Sequence, residues 1–262
     1  MKRSLLPRLV TLGILLFFYL PIFVLVINSF NASRFGGAWS GFSLKWYVRL
    51  FQAREIWEAA WNTLLVAVAA TAVSAVLGTL AAFALHRYRG WLQQTHFLLV
   101  YTPLVVPEVL MGISLLMSFV AAGLELGLFT VFLAHTTFCI SYQAMVVLAR
   151  LQDFDPAVLE AAQDLGAGWW TIAWRVLLPL LAPGIASGAL LAFTLSVDDF
   201  VITFFTAGPG CTTLPLRVYS MIKHGFPPLI NVLSTLLLAV TFLAVWLSQR
   251  LAGGVAEERS RA

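Results

Sequence analysis

Three acidic residues stand where charge is costly. Asp198 and Asp199 adjoin within the apolar stretch Pro183–Thr206, and Glu108 follows Pro107 within another, Phe97–Ala122. Ionisable groups inside apolar segments of membrane length are rare, face a bundle interior or a wet cavity, and mark functional sites. Two neighbouring carboxylates repel each other and lose hydration, and a cationic ligand relieves both costs. On a continuous helix Ser196, Asp199 and Thr203 fall at i, i+3 and i+7 and share one face, with Asp198 and Ile202 on the next. Phe200, Phe204 and Phe205 add rings, whose faces attract ammonium groups. The constellation reads as a cavity for an extended organic cation. The competing reading is a pair of Asp residues bonded to helix backbone or to hydroxyls of a partner subunit. At a rise of about 1.5 Å per residue the pair lies roughly 22 Å beyond Pro183, past the middle of a hydrocarbon layer about 30 Å thick.

The segments that hold these residues are membrane spans by composition. The chain has 262 residues, of which 60% are hydrophobic and 11% charged. Soluble domains carry roughly a quarter charged residues, so the bilayer is the economical solvent for this chain. Six segments are long and apolar enough to cross it: Leu9–Ile27, Thr63–Leu85, Phe97–Ala122, Leu126–Ala149, Pro183–Thr206 and Leu229–Leu251. Pro21 is a kink in the first, and Pro103 and Pro107 break the third. The first follows Lys2, Arg3 and Arg8 like a signal peptide, but it exceeds the usual ~7–15-residue apolar core and has no small-residue cleavage site. It reads as an uncleaved span. The expectation is an all-α polytopic membrane protein forming one transmembrane domain over residues 1–262.

Basic residues set the orientation. Lys2, Arg3, Arg8, Arg87, Arg89, Arg150, Arg175, Arg250, Arg259 and Arg261 fall on one side of six spans, and Arg34, Lys45, Arg49, Arg54, Arg217 and Lys223 on the other. Ten against six places both termini in the cytoplasm. These cations are single and form no basic face, which argues against nucleic acid despite a net charge of +4. Cys139 and Cys211 make neither a disulfide framework nor a metal site. His86, His96, His135 and His224 are scattered, with no H-E-x-x-H or G-x-S-x-G, so a membrane enzyme is disfavoured and the histidines read as packing residues. The outer loop, Ser29–Trp61, is rich in aromatics. They read either as an interfacial belt or as a surface for an external partner. Trp46 is singled out as a ring that could stack on a cation at the entrance.

The inner loop, Leu151–Ala182, is an elbow by its local chemistry. Asp155 is a helix N-cap and Pro156 a good first helical residue. A short amphipathic arm ends at Gly166, and a second arm, Trp169–Leu178, is expected to stop at Pro179. Glu160-Ala161-Ala162, three residues, Gly166, nine residues, then Val176-Leu177-Leu178-Pro179 resembles the EAA signature of ABC-importer permeases, with Val176 in place of the usual Ile. The resemblance implies a type I ABC importer permease fold and a coupling helix that docks on a cytoplasmic ATPase. In that role Glu160 offers a charge, Ala161 and Ala162 permit close approach, and Gly166 gives the bend. The ATPase must be a separate subunit, because no lysine follows a glycine here as a Walker A motif requires.

The stretch Phe193-Thr194-Leu195-Ser196-Val197-Asp198-Asp199-Phe200, with Gly208-Pro209-Gly210, Leu214-Pro215-Leu216 and Tyr219-Ser220-Met221, resembles the spermidine/putrescine importer permeases. That likeness implies a bacterial inner-membrane location and no cofactor. It also implies a heterodimer with a second, related permease subunit, two cytoplasmic ATPase subunits and a periplasmic polyamine-binding protein. The substrate site would rest on Asp198, Asp199, Glu108, Ser196 and Trp46. Other cargoes such as an aminophosphonate, an opine or a metal chelate use the same machine with a different cavity. A passive channel would not need the elbow.

Overall fold

The computed structural model describes residues 5–34, 38–153, 155, 157–225, 228–243 and 246. The expectations placed on Lys2, Arg3, Pro156, Arg250, Arg259 and Arg261 lie outside the described residues. What is described is helical, apart from loops and an antiparallel bridge between Asn31 and Phe42. It separates into two compact units, Met1–Ile56 with Val218–Ala262, and Trp57–Arg217.

In the first unit, α1 (Leu5–Ser29) is a single apolar helix with Pro21 inside it. Its large side chains are exposed nearly throughout, as a lipid-facing helix requires. The following loop folds around Asn31, whose Oδ1 accepts from the Ser33 and Ser40 amides, each at 3.0 Å, while its Nδ2 donates to Ala38 O at 2.9 Å. Phe30 stacks on both Phe42 and Tyr47. The amphipathic α2 (Lys45–Gln52) then buries Trp46 and Leu50. The helices α11 (Leu214–Lys223) and α12 (Pro228–Leu243) close the described chain. The expected sixth span coincides with α12; its remainder to Leu251, Trp246 excepted, lies outside the described residues.

The second unit is built on α6 (Leu128–Gln152), the most buried of the long helices. It packs lengthwise on α9 (Leu178–Asp198) and also meets α4 (Trp91–Val105) and α10 (Val201–Thr206). Small residues permit these approaches. Gln143 of α6 lies against Gly78 of α3 (Arg54–Arg87) and Gly188 of α9, where an added Cβ would come within 2.7 and 2.5 Å of its side chain. Such close backbone contact is the usual basis of helix association where lipid removes the hydrophobic drive.

Two expected spans are not single helices. The Phe97–Ala122 segment divides into α4 and α5 (Glu108–Ala121), which meet at an angle of 114°. Val106 is extended, at ψ 131°, as a residue before proline prefers, and Pro107 offers no N–H to continue the ladder. The Pro183–Thr206 segment corresponds to something longer and broken. The helix starts at Trp169 as α8 (Trp169–Ile172), passes through a π-helical turn at Ala173–Leu177 and continues as α9. Pro179 therefore does not stop the second arm: the π turn shifts the hydrogen-bond register just where that residue lacks a donor. The break comes at Asp199, which is extended at ψ 125°, before α10 begins. Among the described residues four helices are long and apolar enough to span a membrane, or five if α4 and α5 count as one.

Candidate translocation site

The breaks in both segments open onto one cavity of about 270 Å³. Glu108 reaches it from the first turn of α5, where a carboxylate is favoured by the helix dipole. Asp198 reaches it from the last residue of α9, and Asp199 from the break itself. Phe138 and Tyr142 of α6 and Phe200 supply rings, and Met111, Leu195 and Ile202 complete much of the apolar wall. The arrangement suits a ligand with positive ends and an apolar stem. All three predicted carboxylates thus come together although they lie up to 91 positions apart in the chain.

The two Asp residues are not equivalent. Asp198 is exposed toward the cavity. The Asp199 carboxylate instead accepts from the amides of Ile202 at 3.3 Å and Thr203 at 2.8 Å and from the Thr203 hydroxyl at 2.7 Å. It caps α10, which is the structural role a short carboxylate fills at a helix start. Ser196 and Thr203 do not share a helix face with it, because the helix ends between them. They are brought together by His135 of α6, whose Nδ1 lies 2.7 Å from Ser196 Oγ and whose Nε2 lies 2.9 Å from Thr203 Oγ1. Ser196 is buried in that contact and is not part of the cavity wall.

Trp46 belongs to the first unit. Its ring is only 5% exposed, its Nε1 donates to Asn31 O at 3.0 Å, and Lys45 and Arg49 already lie over the ring at 4.9 and 5.7 Å. That geometry makes it an anchor of its own loop rather than an open stacking platform.

The elbow forms as its local chemistry dictates. Asp155 Oδ1 accepts from the Ala157 amide at 2.9 Å, and α7 (Ala157–Asp164) follows. Gly166 closes it at φ +77°, with bonds from Gly166 N to Gln163 O and from Ala167 N to Ala162 O, a Schellman motif. Glu160, Ala161, Val158 and Leu165 are exposed, and α7 buries no residue.

Residues 74–253 match the binding-protein-dependent transport system inner membrane component family. The chain belongs to that family. It is an integral component of a transport system rather than an enzyme, and a multi-pass membrane protein. Among its relatives is the spermidine/putrescine transport system permease protein PotC of Escherichia coli (strain K12), 41% identical over 236 residues, covering 90% of this chain and 89% of PotC. The putrescine transport system permease protein PotI of the same strain is 42% identical over 245 residues, covering 89% and 87%. Solved structures share the fold at low identity. A bacterial ABC transporter involved in import of the acidic polysaccharide alginate gives a TM-score of 0.73 at 16% identity, covering 95% of this chain and 98% of that one. The MetNI methionine ABC transporter in an inward-facing form gives 0.63 at 19%, covering 80% and 97%. The importer permease architecture expected from the elbow motif is therefore present.

His135 is a buried, fully bonded packing residue, as the sequence reading expects, but its polar partners are not legible in the sequence. A lone histidine in an apolar helix reads as packing, and nothing local marks its partners. The signal is visible only once α6 lies beside the α9–α10 break.

Proposed function

We propose that this chain is the membrane-spanning permease subunit of an ATP-driven importer for polyamines such as spermidine and putrescine. The observation that carries the reading is its identity to spermidine/putrescine and putrescine permeases along nine-tenths of its length. The cavity supports it chemically. Asp198 and Glu108 offer two carboxylates to ammonium groups, and Phe138, Tyr142 and Phe200 offer surface to the methylene stem between them. The partners follow from the same reading: a second permease subunit forming a heterodimer, two ATPase subunits inside and a polyamine-binding protein outside. Both termini lie in the cytoplasm, residues 1–262 act as one permease domain, and ATP-driven closure of the ATPase pair moves the elbow and reopens the cavity outward.

The test is uptake of radiolabelled spermidine and putrescine by cells that lack their own importer and express this permease with its partner subunits. Saturable uptake is expected. No uptake by an assembled complex would leave the family intact and remove the polyamine assignment.

The elbow gives a second expected outcome. Gly166→Val forces a β-branched residue into left-handed backbone, at a cost of about 1–2 kcal/mol. That lowers the equilibrium constant for forming the elbow roughly 5–30-fold. Cargo-stimulated ATP hydrolysis by the purified complex should fall, by at most that factor, whereas Gly166→Asn, which tolerates this backbone, should retain most of it.

A further inference from the structure

We propose that His135 is a positioning residue for cargo binding: it ties the two halves of the broken α9–α10 segment together and so holds Asp198 toward the cavity. The polyamine reading enters only in the choice of cargo used to test it.

The helix break is the weak point of the site. A helix ending at Asp198 and restarting at Val201 leaves backbone groups without helical partners and two segments free to swing about Asp199 and Phe200. His135 is 1% exposed, and its two ring nitrogens are spent on opposite sides of that hinge. Nδ1 meets Ser196, two residues before the end of α9; Nε2 meets Thr203 in α10 and lies 3.3 Å from Asp199 Oδ2. The hydrogens have a consistent assignment. Ser196 Oγ donates to Nδ1, Nε2–H donates to Thr203 Oγ1, and the Thr203 hydroxyl donates to the Asp199 carboxylate, which also receives the Ile202 and Thr203 amides. One ring therefore joins α6, the end of α9, the hinge residue and the start of α10. A rigid ring makes this span better than a flexible chain, and polar atoms at this depth are costly unless every one is bonded.

This arrangement divides the acidic pair. The oxygens of Asp199 are occupied by the chain's own donors, so it shapes the hinge. Asp198 precedes the hinge directly, and its direction depends on where α9 ends. Loss of His135 would leave the apolar contacts of α6 with α9 in place while freeing the hinge. The consequence for the site falls on cargo affinity, read per assembled complex.

Two measurements test this on the full assembled complex. The first is polyamine uptake kinetics. His135→Phe should raise KM at least about tenfold with the maximal rate per assembled complex held within about threefold. His135→Gln, whose amide offers both a donor and an acceptor, should restore KM to within about threefold of wild type. Ser196→Ala, which cuts the tie to α9 with little change in volume, should raise KM even if His135→Phe fails to assemble. An unchanged KM in assembled His135→Phe or Ser196→Ala complexes overturns the proposal, as does a fall in rate alone.

The second measurement needs no cargo. In a Cys211→Ser background, Asp198→Cys is treated with a cationic methanethiosulfonate reagent, with and without His135→Phe. The proposal expects labelling at least about tenfold slower when His135 is absent. An equal or faster rate overturns it. Failure of wild-type polyamine uptake would sink the cargo assignment alone, because the labelling result stands independently of it.

Discussion

A protein carrying Asp198→Asn together with Glu108→Gln is expected to lose at least about 100-fold in spermidine uptake at low concentration, with the complex still assembled. An ammonium–carboxylate contact contributes about 1.5–3 kcal/mol, and each tenfold in affinity is about 1.4 kcal/mol. Two such contacts are available in the cavity, one from the end of α9 and one from the start of α5. Each single substitution should cost roughly tenfold to a hundredfold by the same figures. Neither side chain is buried in the protein, so removing its charge leaves no unpaired buried partner. The amides also keep the shape of the cavity. The check is the concentration dependence of uptake alongside the amount of complex recovered from membranes. A loss of complex in parallel with uptake would make the two carboxylates structural.

The largest effect on the protein itself should come from Gly208→Ala. An added Cβ there would lie 1.8 Å from Leu126 O and 2.3 Å from its carbonyl carbon. These are backbone atoms and cannot swing aside. The surrounding segment has no slack, because Thr130 Oγ1 holds Thr206 O at 2.8 Å, Asn62 Nδ2 holds Thr212 O at 3.1 Å and Thr63 Oγ1 receives the Leu214 amide at 2.7 Å. Overpacking commonly costs about 1–3 kcal/mol and more where nothing can relax. Gly208→Ala should therefore lie at or above the top of that range and be recovered poorly from membranes. Gly127→Ala is the matched control, since a Cβ there meets nothing within 4 Å. Equal recovery and equal thermal midpoints for the two variants would contradict this account of the segment.

The legible parts of the sequence were those governed by neighbouring residues. Asp155 and Gly166 bracket the elbow by cap and C′ chemistry that acts within a few positions, and both do so in the structure. Pro107 breaks its segment for an equally local reason. Glu108 and the Asp pair could be grouped because charge in an apolar segment needs a shared destination. The break at Asp199 was not legible in Ser-Val-Asp-Asp-Phe, which reads as continuous helix. What stabilises it includes His135, 64 positions earlier, and packing of α6 on α9 alone brings the two together. Pro179 misled for the opposite reason. A π turn at Ala173–Leu177, just before Pro179, carried the helix through it. Trp46 shows a third limit: residue type states what a ring can do, while burial against Asn31, Lys45 and Arg49 decides what it does.

The most direct measurement is made in proteoliposomes holding the complete importer, with the polyamine-binding protein and labelled spermidine outside and ATP inside. The account predicts saturable, ATP-dependent accumulation that unlabelled putrescine reduces, and its loss in the Asp198→Asn, Glu108→Gln protein. Equal flux without ATP, or accumulation undiminished by that double substitution, would contradict it.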